Sequence, residues 1–383
     1  MTVDTADLAD NRAIDVMRRE IATIPAVLAE QAEATCGPLK RIVEDLGGAL
    51  GDVVLTGCGD SYFAGLGARL AMERDAGVRC RPIEALELAR YEVRYVSTDP
   101  RPLLVALSYS GEVGRTIEAT ATAAAFGWRT VAVTGRADGR LAAVSDQALV
   151  MSVPTLGFSP GTSTYVAMCT ALLRLTAELA RSRGRADAAE RADDALARAP
   201  ELAAATLSAS EEPAKAAAAL LAESPIVTFL GAGPSRASAT FGAAKLFEGP
   251  QRYGVAEDLE EWAHEQYFVS DANTPIVVVS PSGASRDRAL ELVDEMAYIR
   301  APVVFVGDTD DEVRARLPQE SVVLPIAAGL DEAYSPLLTS LPLALLGFFL
   351  SERLGTRSYG FRSDEHEREH YETIHRDTRG EPA

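Results

Sequence analysis

Cysteine is the first scarcity. The four cysteines, Cys36, Cys58, Cys80 and Cys169, lie far apart and form no Cys-x-x-Cys pair. A disulfide framework or a zinc knuckle needs closer sets, so four reduced thiols are expected and no metal site. Positive charge is the second: 37 lysines and arginines against 56 aspartates and glutamates leave −19 over 383 residues. Nucleic acid and anionic membranes both require a basic face, so neither is expected as a partner. Long apolar runs are missing too. The most apolar stretch, Leu337 to Leu350, is interrupted by Thr339, Ser340 and Pro342, and at about 14 residues it is short of a bilayer span. It reads as a buried helix. The start Met1-Thr2-Val3-Asp4 has no apolar signal region, which gives a cytoplasmic expectation.

What is present is a 47% hydrophobic chain long enough for two domains. Its organising stretch is Val53-Val54-Leu55-Thr56, running into Gly57-Cys58-Gly59-Asp60-Ser61. A second such stretch is Leu103 to Leu107, running into Ser108-Tyr109-Ser110-Gly111-Glu112. Each is a short buried-strand pattern that feeds a small, hydroxyl-rich turn and then a helical pattern. The first N–H groups of a helix lack partners, and glycine lets an oxygen approach them, so such turns suit anions. The Walker lysine is absent, and Gly57-Cys58-Gly59 lacks the third glycine of a dinucleotide fingerprint. The pattern predicts a monophosphate pocket.

In chain order, residues 1–50 read as helical, with Met17, Ile21, Ile24, Val27 and Leu28 at helical spacing and Pro25 allowing a break. A helix is expected from Ser61, a short segment over Ile83 to Ala89, a helix over Thr116 to Phe126, and strands at Thr130 to Val133 and Leu149 to Val153. Strands alternating with helices predict an α/β fold with a parallel sheet covered on both faces. Residues 165–222 read as long helices, with a loop over Arg181 to Arg191.

The pattern then repeats. Ile226 to Ser235 matches the first turn, Ile276 to Gly283 the second, and Val303 to Asp308 matches Val131 to Gly135. Gly57 to Gly111 spans 54 positions and Gly231 to Gly283 spans 52, while Gly111 to Gly135 and Gly283 to Gly307 each span 24. Three landmarks in register predict two copies of one doubly wound domain. The expected division is a helical segment (1–50), a first domain (51–180), connecting helices (181–222), a second domain (223–354) and a tail (355–383).

These residues resemble the sugar isomerase (SIS) domain, and their tandem arrangement is similar to the isomerase half of the glucosamine-6-phosphate synthases. The resemblance runs from about Met17 to Gly360. It implies two flavodoxin-like domains, a phosphorylated sugar as ligand, no cofactor, and a homodimer with a shared active site. Residue 2 is Thr, so the resembled amidotransferase chemistry, which needs an N-terminal cysteine, is not expected. The family's phosphate-binding serines fall on Ser61, Ser108 and Ser110, with Gly57, Cys58, Gly59 and Asp60 in the same turn. A threonine of the pattern is Val113 here, and Thr116 or Tyr109 is expected to compensate in part.

The resemblance also implies a catalytic set. Lys245 and Glu248 lie in Ala244-Lys245-Leu246-Phe247-Glu248, and His264 follows 16 positions after Glu248. In the family the glutamate moves a proton between sugar carbons 1 and 2, and the histidine, arriving from a partner subunit, assists ring opening. The chemistry fits. Aldose–ketose interconversion through an enediol or enolamine needs one base for two carbons and an acid–base group on the ring oxygen. A tail that folds over the sugar carries a lysine in the family. That position is His366 here, while Arg362 keeps the family's arginine. His366 and His370 stand four apart, a spacing also seen in metal sites. In the loop Pro154 to Tyr165 a family glutamate gives way to Phe158 and the usual Ser-Thr-Lys is Ser163-Thr164-Tyr165, so a less polar sugar pocket is expected. The implied activity is a sugar-phosphate isomerase or deaminase. A fructosamine-phosphate-type deglycase and a non-catalytic sugar-phosphate sensor are the alternatives.

Overall fold

The computed structural model of the chain describes residues 12–47, 51–95 and 100–376. The expectations for residues 1–11, 48–50 and the end of the tail lie outside the described residues. Two compact units are formed. The first takes in the described residues of Val27–Pro154, Thr164–Ala197 and Phe361–Ala383; the second takes in those of Met1–Ala26, Thr155–Ser163 and Arg198–Gly360.

The first unit is built on β1 (Val53–Gly57), β2 (Cys80–Glu84), β3 (Leu103–Leu107), β4 (Arg129–Thr134) and β5 (Gln147–Val150), ordered β2-β1-β3-β4-β5. All neighbours are parallel, with Leu55 beside Val105 and Val105 beside Val131. β1 and β3 are buried at every residue, as unbroken apolar strands covered on both faces must be. Val54, Leu104, Ile117, Trp128 and Leu141 pack together on one face.

The second unit repeats the order. β6 (Ile226–Leu230), β7 (Tyr253–Glu257), β8 (Ile276–Val279), β9 (Val303–Gly307) and β10 (Val322–Pro325) run β10-β9-β8-β6-β7, again all parallel. Its core includes Leu230, Trp262, Val278, Met296 and Phe305. The described chain is thus α/β with two doubly wound parallel sheets, with helices Arg12–Ala34 and Asp364–His375 outside them.

Several local expectations change. The helix Arg12–Ala34 continues through Pro25. Proline removes one helical N–H, and burial of Ile21, Ile24, Val27 and Leu28 outweighs it. The loop expected over Arg181 to Arg191 shrinks to residues 183–185, between the helices Ser163–Ser182 and Ala186–Leu221. Gly184, at φ +71°, makes the turn. The polar residues beyond it belong to an exposed helix face: Asp187, Glu190 and Arg191 face out while Ala188, Ala189 and Ala192 are buried. The segment expected over Ile83 to Ala89 is the end of β2 and the helical start after it, and the strand expected at Leu149 to Val153 is β5, ending at Val150.

The apolar stretch at Leu337 is a helix, Pro336–Leu354. Among the described residues it is the one helix long and apolar enough to cross a membrane, and 83% of its apolar window is buried within the protein.

Candidate functional site

In the first unit the strand order reverses between β1 and β3, so their crossovers leave on opposite faces and open a crevice at the strand ends. Both hydroxyl-rich turns lie there. After β1, Gly57 admits the next helix closely: a Cβ on it would stand 2.7 Å from Ser61 Cβ. Gly59 adopts φ +56°, a conformation that favours glycine, and caps the helix Asp60–Ala71. Asp60 sits in the first helical turn, where a carboxylate suits the dipole. Ser61 is buried and its hydroxyl donates to Met168 Sδ at 3.4 Å.

After β3 the chain folds on its own hydroxyls. Gly111 N donates to Ser108 Oγ at 3.2 Å, Glu112 N donates to Ser110 Oγ at 3.3 Å, and the two hydroxyl oxygens are 3.4 Å apart. Ser108 and Ser110 therefore accept from the main chain and keep their O–H groups oriented in the turn. Cys58 Sγ lies 3.8 Å from Thr116 Oγ1, which joins the two turns. Burial pushes the Cys58 thiol pKa up, against the Thr116 contact. Val113 caps the helix Gly114–Ala125 with no side-chain bond. The Tyr109 hydroxyl donates to Val153 O at 2.9 Å and accepts from Val153 N at 3.3 Å.

The tail returns to this turn. Arg140 Nε donates to Glu112 Oε2 at 2.7 Å, while Arg140 Nη2 donates to Glu112 O at 2.6 Å and His375 O at 2.7 Å. Arg115 donates to Arg376 O at 3.1 Å. Burial raises the Glu112 pKa, but the Arg140 bonds outweigh it and hold the carboxyl below its usual range. His366 lies in the first turn of the tail helix Asp364–His375, its Nδ1 accepting from Arg362 N at 3.2 Å. Phe361 packs against His366 and His370. Among the described residues no group of three or more His, Cys, Asp or Glu side chains is placed to hold a metal ion.

The second unit holds the remaining candidates. The helix Pro234–Glu248 packs on the sheet and against the helix Pro336–Leu354, so it is buried nearly all round. Lys245 is wholly buried there. Its Nζ donates to Glu248 Oε2 at 2.6 Å and to Gly161 O at 2.9 Å, and lies 4.8 Å from the Phe241 ring centroid. Gly347 makes the room, since a Cβ on it would stand 3.0 Å from Lys245 Cβ.

Tyr359 and Glu20, which carry no sequence signal, hold this corner together with Phe158. Tyr359 N donates to Glu248 O at 2.6 Å and Tyr359 Oη donates to Ser159 O at 2.9 Å. Tyr359 stands at φ +65°, unusual for a side chain of its size. Phe158 stacks on it at 4.8 Å, so the residue in place of the family glutamate is a packing element. Glu20 anchors the same loop, accepting from Leu156 N at 3.1 Å and from Ser159 Oγ at 2.7 Å. Burial raises the Glu20 pKa above its ordinary value, and these bonds oppose the rise. Ser163 Oγ and Thr162 Oγ1 are buried next to Gly161, with no hydrogen-bond partner among the described residues. His264 ends the short helix Leu259–His264. Its side chain is 73% exposed and Nε2 lies 3.4 Å from Glu260 Oε1.

Comparison with known proteins agrees with the architecture. Residues 51–177 match the SIS domain. The chain is 28% identical over 302 residues to a glutamine–fructose-6-phosphate aminotransferase (isomerizing) of Caulobacter vibrioides, covering 78% of this chain and 49% of that one. It thus spans about half the length of the curated relatives it matches. The C-terminal domain of glucosamine-fructose-6-phosphate aminotransferase from Francisella tularensis superposes with a TM-score of 0.80 at 23% identity, over 90% of this chain and 97% of that one. Glucosamine-6-phosphate deaminase from Thermotoga maritima superposes with a TM-score of 0.63 at 21% identity, over 86% and 96%. Residues 51–177 thus carry the SIS-domain match, and the chain as a whole shares the two-sheet fold of these solved structures.

Proposed function

We propose that the protein is an isomerase or deaminase of a phosphorylated sugar or amino sugar. Ser61, Ser108 and Ser110, with the main chain of Gly57 to Asp60, grip the phosphate. Thr116 and Ser163 add hydroxyls. Glu248 takes a proton from one sugar carbon and returns it to the next through an enediol or enolamine. The observation that carries this reading is the buried Lys245 held to Glu248 at 2.6 Å. A partly exposed carboxylate fixed by a buried cation is oriented at no further entropic cost when substrate arrives.

His264, or His366 from the tail, assists ring opening. In a homodimer His264 acts on the partner's substrate, a role that its exposure on the single chain suits. The chemistry needs no metal or redox cofactor, because one base and one acid–base group complete the proton transfers.

The test is a panel of hexose and hexosamine 6-phosphates followed by NMR and an ammonia assay. Aldose–ketose interconversion identifies an isomerase and ammonia release a deaminase. Tight binding with neither product overturns the proposal and identifies a sensor.

A further inference from the structure

Between β5 and the helix Ser163–Ser182 the chain forms no helix or strand, so side chains from elsewhere must hold it in place. Glu20, on the helix Arg12–Ala34 and 4% exposed, does so at two points. One carboxylate oxygen accepts from Leu156 N at 3.1 Å and the other from Ser159 Oγ at 2.7 Å. Val16, one helical turn earlier on the same face, meets the loop between them: a Cβ on Gly157 would stand 3.1 Å from Val16 Cγ2. A carboxylate taken out of water is costly, and its charge makes both bonds stronger than a neutral acceptor would. Two such bonds from one buried group fix where the loop runs.

The same loop touches both residues that hold Glu248. Gly161 O accepts from Lys245 Nζ at 2.9 Å, and that ammonium donates to Glu248 Oε2 at 2.6 Å. Ser159 O accepts from Tyr359 Oη at 2.9 Å, and Tyr359 N donates to Glu248 O at 2.6 Å. The loop, Lys245, Glu248 and Tyr359 thus close a ring of hydrogen bonds, and Glu20 pins the loop side of it, all within one unit. Lys245 is fully buried and has no water to turn to when Gly161 O shifts. It must follow the loop or lose an acceptor, and either change is passed to the carboxylate it holds.

We propose that Glu20 is a positioning residue for Glu248, acting through the loop at Leu156 to Gly161 and then through Lys245 and Tyr359. The proposal rests on the reading of Glu248 as the proton carrier. A base displaced by about 1 Å from its carbon loses about a hundredfold in rate. Glu20 therefore acts on turnover, while the hydroxyls assigned to the phosphate are left as they are and binding changes little. A carboxylate that served only to stabilise the fold would lower the melting temperature and leave the turnover of folded molecules unchanged.

The test measures kcat and KM of the full chain on the hexose and hexosamine 6-phosphates, for the native protein, Glu20→Ala and Glu20→Gln. Glu20→Ala is expected to lose about ten- to a hundredfold in kcat with KM within about threefold of native. Glu20→Gln, whose amide accepts from Leu156 N and donates to Ser159 Oγ, is expected to restore most of the loss. Ser159→Ala removes one of the two bonds and carries the test, with a smaller loss in kcat, should Glu20→Ala fold poorly. Hydrogen exchange at Tyr359 N–H needs no substrate and is expected to quicken by about tenfold in the alanine variants. Native kcat in the folded alanine variants, a change in KM alone, a glutamine variant as slow as alanine, or unchanged exchange at Tyr359 each overturns the proposal. The two failures separate: no turnover by the native chain overturns the reading of Glu248, whereas turnover that the variants leave unchanged overturns the role of Glu20 alone.

Discussion

Lys245 Nζ lies 2.6 Å from Glu248 Oε2, one helical turn apart, with the lysine side chain fully buried and the glutamate side chain 26% exposed. The pair is asymmetric. Glu248 reaches water, while Lys245 has Glu248, the Gly161 carbonyl and the Phe241 ring around its charge. Lys245→Met keeps the stem and removes the charge. It is expected to remove the cation that holds the carboxylate and to destabilise the fold by about 3 kcal/mol. Urea unfolding checks this: a midpoint equal to that of the native chain would show the pair contributes nothing.

Glu20 gives a pH signature. Burial raises its folded pKa, so the folded state favours the protonated form. That contribution is full below the unfolded value of about 4.3 and is lost as pH rises through the folded pKa. Glu20→Gln removes it. The melting temperature of the variant relative to the native protein is therefore expected to climb between about pH 4 and 7. A constant difference across that range contradicts the assignment.

The tail has the opposite dependence. Burial, with Arg140 and His370 adding to it and Glu112 opposing, lowers the His375 pKa. Neutral His375 is favoured in the folded state, so this support is present above about pH 6.5 and is lost as pH falls below it. Amides of the helix Asp364–His375 should lose hydrogen-exchange protection, after correction for intrinsic rates, between pH 7.5 and 5.5. Arg140→Met is expected to weaken tail docking by about 1–2 kcal/mol where His375 is neutral.

Two thiols should be silent. Cys80 and Cys169 are buried, and burial pushes each pKa to about 12. Neither is expected to react with iodoacetamide at pH 8 until urea unfolds the chain. Mass spectrometry of the native protein reads this directly.

Central strands were legible in the sequence; of the edge strands, β5 was and β2, β7 and β10 were not. Leu103 to Leu107 is read to the residue because it is apolar throughout and buried on both faces. β2, with Arg81, Pro82 and Glu84, is half-exposed at the sheet edge, where proline is tolerated and the apolar signal disappears. β7 and β10 are edge strands too and went unread for the same reason. The serines of the turns and the Lys245–Glu248 spacing were visible locally. Burial of Lys245 was not, because it depends on Gly347 in a helix far along the chain. Glu20 and Tyr359 act on the loop at Ser159 from opposite ends of the sequence, and no local pattern marks such a contact.

The central claim is that Glu248 carries a proton along the carbon skeleton of a sugar phosphate. Its most direct measurement is deuterium uptake at carbon 1 or 2 of hexose and hexosamine 6-phosphates in heavy water, read by mass spectrometry for the native chain and for Glu248→Gln. The account predicts uptake by the native chain and a drop of about a hundredfold or more in the variant, with phosphate binding kept. Equal uptake by the two, or binding by the native chain with no uptake from any member of the panel, would contradict it.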